Sequence, residues 1–132
     1  MRISPRIAAI SALATLSACA EGGGQYTPAV SHGPPLSAAD RADPVGAIRR
    51  AGAGDAMTAE GAKTLFGPAD VERHDGAGAI LTWRTATCAI VLVFGGPDLR
   101  LGAADVGAKD QHAAAPPLDL CVREALARRN VS

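Results

Sequence analysis

Cys88-Ala89-Ile90-Val91-Leu92-Val93-Phe94 is the stretch that decides how this chain folds. It carries no charge, glycine or proline, and Gly95-Gly96-Pro97-Asp98 closes it. The run is too short for an ordinary globular helix and rich in β-branched side chains, so it reads as a strand. Side chains alternate across a strand, which sets Cys88, Ile90, Leu92 and Phe94 on one face and Ala89, Val91 and Val93 on the other. Both faces are apolar, the pattern of a central strand.

Working outward, the Gly-Gly-Pro-Asp turn leads into Leu99 to Val106, a fourth and weaker strand with Leu99 and Leu101 on one side. On the other flank, Ala79 to Thr85 alternates Leu81, Trp83 and Thr85 against Ile80, Thr82 and Arg84. Asp75-Gly76 suits the left-handed residues of a tight hairpin turn, with Asp70 to His74 as the strand before it. The sequence therefore predicts an α+β fold: a small three- to four-stranded antiparallel meander packed by an N-terminal helix and a C-terminal amphipathic helix.

The C-terminal helix follows Pro116-Pro117, where Leu118, Cys121, Val122, Ala125 and Leu126 recur at helical spacing and Asp119, Arg123 and Arg128 fall on the other side. Arg128 and Arg129 lie in its last turn, where positive charge complements the helix dipole. Between strand and helix, Gly107 to Pro117 shows no period and reads as a mobile loop. Upstream, Asp43-Pro44 caps a short helix through Ile48 to Arg50. Thr58 caps a second helix, Ala59 to Phe66, with Glu60 in its first turn and Gly67-Pro68 ending it. Leu65 and Phe66 are expected to meet the sheet.

A domain of this size is marginally stable without a covalent staple. Cys88 and Cys121 are the candidates for a disulfide, which would close a loop of about 33 residues and contribute roughly 3 to 4 kcal/mol by chain entropy. The alternative is a metal site formed with His74 or His112, although no CxxC or HxxxH spacing accompanies it. Because Cys121 belongs to the apolar stripe, a bond to Cys88 would pin the helix on the sheet face that presents Ile90 and Leu92.

Residues 1–18 carry Arg2 and Arg6 and no acid, followed by an apolar run from Ile7 to Leu16. This is the pattern of a signal peptide, and a helix of about ten residues is roughly half as long as a bilayer core requires. Residues 19–43, with Gly22-Gly23-Gly24 and scattered Pro, Ser, Ala and His, read as a flexible tether with a reach of about 25 to 30 Å. Tyr26 and His32 read there as solvated side chains. Residues 44–129 read as the small α+β domain.

Leu16-Ser17-Ala18-Cys19 resembles the lipobox of bacterial lipoproteins. The resemblance implies cleavage before Cys19, a diacylglyceryl thioether on its sulfur and a freed amine open to acylation. Two or three chains, at about 0.8 kcal/mol per buried methylene, would hold the protein on a membrane. The alternative is an ordinary secretory signal cut elsewhere. Ala20 stands where an aspartate favours inner-membrane retention in the enteric sorting rule, so the expected address is the periplasm-facing outer membrane. In addition, Leu65-Phe66-Gly67-Pro68, then Val71, Glu72 and Arg73, then Trp83 and Cys88, resemble small bacterial lipoproteins and, more distantly, the SmpA/OmlA (BamE-like) outer-membrane lipoproteins. That resemblance implies an accessory role in outer-membrane protein assembly or envelope integrity, without a catalytic centre. The disulfide-pinned C-terminal helix departs from the BamE-like pattern, and no binding residues carry over.

The chain holds 13 Lys and Arg against 13 Asp and Glu; without residues 1–18 the balance is 11 basic to 13 acidic, which argues against a nucleic-acid partner. No GxSxG, HExxH, SxxK or P-loop pattern occurs. His74-Asp75 and Asp110-Gln111-His112 are the acid–base pairs an enzyme could draw on, and polar turns account for both. No catalytic, cofactor-binding or metal residue is assigned. The expected function is a lipid-anchored, non-enzymatic envelope lipoprotein with an envelope protein as partner. A periplasmic ligand-binding or inhibitor module, or a small envelope enzyme, are the alternatives. Trp83 is expected in the core; Arg73 and Arg84 are expected on solvated strand faces.

Overall fold

The computed structural model describes residues 34–131. Cys19, Tyr26, His32 and the signal-peptide reading lie outside them. In chain order the elements are α1 (Ala38–Ala42), α2 (Pro44–Arg49), α3 (Ala59–Phe66), β1 (Val71–Asp75), β2 (Gly78–Arg84), β3 (Cys88–Gly95), β4 (Arg100–Ala108) and α4 (Leu118–Arg129). The strands form one antiparallel sheet in the order β1-β2-β3-β4. The α+β meander is thus four-stranded.

Local chemistry sets the helix starts. Ser37, Asp43 and Thr58 each accept a backbone N–H three residues on, from Asp40 (3.0 Å), Gly46 (2.8 Å) and Gly61 (3.1 Å), satisfying donors that the first turn leaves unpaired. Gly67 ends α3 with φ +83°, a value that disfavours any side chain. Pro44 stands in the first turn of α2, where its missing N–H costs nothing.

Helices α2, α3 and α4 cover one sheet face, with α3 against β2, α4 against β3 and α2 against β4. Beneath them lie Leu81, Trp83, Cys88, Ile90, Leu92, Phe94 and Leu101, joined by Ile48, Leu65, Phe66, Cys121, Val122 and Ala125. Trp83 stacks at a tilt on Phe66, ring centroids 5.5 Å apart, and its Nε1–H donates to Gly67 O (3.0 Å). The α3 corner and the tryptophan strand therefore fix one another. Cys88 and Cys121 are disulfide-bonded across α4 and β3, with Cα atoms 6.0 Å apart. Neither is then a thiolate ligand for a metal.

Several expectations are corrected. Residues 38–42, read as the end of the tether, form α1; Asp40 within it and Leu36 just before it are buried, so the packed part of the chain extends ahead of residue 44. Gly107 and Ala108, read as loop, continue β4, and Lys109 N–H still donates to Thr87 O (3.1 Å). Leu99 lies before the strand with φ +48°. Strand β3 is internal to the sheet, but among the described residues no helix covers its second face, and Val93 there is 38% exposed beside Ile80 at 39%. Apolar character on both faces reflects an open apolar stripe rather than burial twice over.

Candidate functional site

Buried charge in a small core requires a partner, and Asp40 has one: its carboxylate meets the Arg50 guanidinium, linking α1 to the end of α2. This pair borders a cleft of about 560 Å³ whose lining includes Leu36, Asp40, Arg50, Asp55, Met57 and Arg100. Leu36 and Met57 are almost fully buried beside it. Arg100 reaches it from the start of β4, its Nη1–H donating to Ala56 O (2.9 Å) and its Nε 3.9 Å from Asp98. The cleft thus combines two guanidinium groups, two carboxylates and a small apolar wall. Its lining among the described residues contains no histidine, cysteine or lysine, and Ser37 Oγ is already accepting from Asp40 N–H. Such a set can hold a small polar ligand or an extended peptide by charge-assisted hydrogen bonds.

The residues singled out from the sequence lie elsewhere and are not brought together. His74 Nε2 is 2.8 Å from Glu72 Oε1, not paired with Asp75, and Lys63 joins that carboxylate at 3.4 Å. His112 offers only its backbone N–H to Asp110 Oδ1 (3.0 Å), a turn contact rather than an acid–base pair. Glu72 is held below the ordinary carboxylate range by His74 and Lys63 against the opposing effect of burial, the largest single influence. Among the described residues no group of three His, Cys, Asp or Glu is arranged to hold a metal ion.

Arg84 is exposed on the uncovered sheet face, as is Arg73. Around Arg84 the backbone is instead a docking point for α4. Arg128 donates to Arg84 O and clasps Asp70 with both guanidinium nitrogens (2.6 and 2.8 Å), while Arg84 N–H donates to Asp70 Oδ2 (2.6 Å). Arg129 caps α3 through Leu65 O (3.0 Å). Helical spacing places Arg128 on the outer side of an amphipathic helix; its partner lies 58 residues away, and no local pattern reports that contact. Glu124, one turn before Arg128, accepts from the Thr87 hydroxyl (2.9 Å) and Thr87 N–H (3.2 Å), so α4 is fastened at the disulfide end as well.

The cleft residues were missed because Asp40, Arg50 and Arg100 belong to three separate segments. The one local signal was Ser37-Ala38-Ala39-Asp40, a cap with an acid three residues on that announces the helix carrying Asp40. No family model, curated protein or solved structure matches this chain.

Proposed function

We propose that the protein is a lipid-anchored, non-enzymatic module of a bacterial envelope, held through Cys19 and facing the periplasm, where it serves a structural or protein-interaction role. The observation that carries this reading is the buried Cys88–Cys121 bond. Disulfides persist in oxidising compartments, which agrees with export. The bond also accounts for two of the three cysteines and leaves Cys19 alone at the end of Leu-Ser-Ala-Cys. A thiol in that position has attachment chemistry as its simplest use. By resemblance, the role extends to outer-membrane assembly or integrity.

Mass spectrometry of the N-terminal peptide from detergent-solubilised envelopes tests the anchor. Expected is a peptide that begins at Cys19 and carries acyl mass, and a Cys19→Ser chain released from the membrane fraction. An unmodified cysteine, or unchanged membrane attachment in the serine variant, would sink the proposal. Co-purification from the same extract tests the partner.

The cleft beside Arg50 and Arg100 favours a second reading, a periplasmic ligand-binding module. Here Arg100→Ala is expected to weaken ligand-dependent stabilisation in a thermal-shift screen of small carboxylates and short peptides. If no ligand raises the melting temperature of the unsubstituted chain, this second reading falls.

A further inference from the structure

Among the described residues, the outer side of β4 is divided into a filled half and an open half. From Leu99 to Leu101 it is filled: Leu101 N–H donates to Met57 O (2.8 Å), Gly52 N–H to Leu101 O (2.9 Å) and Ala59 N–H to Leu99 O (2.9 Å). The register with β3 then shifts, skipping Gly102. Past that shift, Gly102 to Asp105 are exposed and Val106 to Ala108 half-buried. Lys109 N–H donates inward to Thr87 O, so by strand alternation residues 105, 107 and 109 face β3, while Ala104, Val106 and Ala108 turn their backbone groups outward. Asp105 Oδ1 takes the outward N–H of Val106 (2.9 Å), as expected if that donor has no neighbouring strand.

We propose that this open half of β4 is a self-association edge, where two copies of the chain pair antiparallel about a two-fold axis at Gly107. An isologous strand pairing is fixed by the residue on its axis, and the candidates differ sharply. With Asp105 on the axis, two carboxylates oppose each other. With Ala104 there, Arg100 and Leu101 enter the pairing, where Met57 and Gly52 already occupy the edge. With Val106 there, Asp105 faces Gly107 and Lys109 faces Ala103, so neither charge is matched. With Gly107 on the axis, pairing spans only residues 105 to 109. Val106 then opposes Ala108 of the second copy in two hydrogen-bonded pairs, and Asp105 directly opposes Lys109 of the second copy, twice.

Opposite charges facing across an antiparallel ladder are favourable, and like charges are not. Glycine on the axis also removes side-chain bulk at a non-hydrogen-bonded position, where facing Cα atoms approach to about 4.5 Å. On pairing, Asp105 exchanges Val106 N–H for the Lys109 ammonium, and Val106 N–H passes to the second strand. The surface is independent of the anchor, so its test is made on the full chain with Cys19→Ser.

Gly107→Cys is the probe. A Cβ at Gly107 meets nothing within 4 Å and is under no left-handed strain, and the same holds at Gly54, the control. Mild oxidation is expected to convert most Gly107→Cys molecules to a disulfide-linked dimer on a non-reducing gel, with Gly54→Cys remaining monomeric. Adding Lys109→Glu should lower that yield about tenfold, and Asp105→Lys with Lys109→Asp should restore it to within about twofold. A dimer yield at Gly107 no higher than at Gly54, or one indifferent to Lys109→Glu, overturns the proposal. If the added thiol disturbs folding, sedimentation of the chain without it decides instead. A concentration-dependent dimer that Lys109→Glu abolishes supports the edge; a monomer at every concentration refutes it.

Discussion

Asp70 accepts from both guanidinium nitrogens of Arg128 and from Arg84 N–H, so its ionised form has partners that the unfolded chain lacks. The Arg128 hydrogen bond leads in holding its carboxyl below the ordinary value of 3.8, with the Arg84 N–H adding to it and partial burial opposing. A depressed carboxyl contributes stability that is fully present above the ordinary value and is lost as pH falls through the lowered one. Both side chains are partly exposed, so solvent screens the pair. Arg128→Ala is expected to lower unfolding free energy by about 1 kcal/mol at neutral pH, and by much less near pH 2. Urea unfolding at the two pH values checks this; an equal penalty at both would show that the pairing charge is not the cause. Gly67 offers a second residue-scale test. An added Cβ would come no closer than 3.7 Å to Arg129 Cγ, so space is available, but φ is +83°. Gly67→Ala should therefore cost more than about 1 kcal/mol through backbone conformation alone. Gly54→Ala, without that dihedral and in open space, should cost far less in the same thermal melt.

At the scale of elements, the Cys88–Cys121 bond joins the middle of the helix layer to an inner strand. Breaking it by Cys88→Ala with Cys121→Ala is expected to lose about 3 to 4 kcal/mol, estimated from the entropy of a loop of this length. The measurement is the shift in urea midpoint, followed through Trp83, the only tryptophan, whose ring lies against Phe66. An unshifted midpoint would remove the staple from the account of stability. Those same elements show what the sequence could disclose. Alternation and an unbroken apolar run were enough for β2 and β3, and the i, i+3, i+4 stripe was enough for α4, because burial of one face is written into consecutive residues. Helix α1 escaped because a helix of five residues displays no period. The filling of β4 by Met57, Gly52 and Ala59 escaped because it uses backbone groups, which any side chain permits. The cleft escaped for a related reason: its charges are assembled from distant segments, and only folding makes them neighbours.

At the scale of the whole molecule, the covered sheet face is completed by α4. Residues of α4 or its last turn bond to Leu65, Asp70, Arg84, Thr87 and Cys88, all contributed by earlier elements. A chain ending after Pro117 should therefore expose Ile90 and its neighbours, red-shift Trp83 emission and be cleaved rapidly by protease. Native-like emission and resistance would contradict this account. The same fastening orders events during biosynthesis. While residues 118–129 are still inside the ribosome, the hairpins can form and α2 and α3 can pack, but β3 lacks the cover that α4 gives it. Closure of the core therefore waits on residues 118–129, and the Cys88–Cys121 bond cannot form before they arrive.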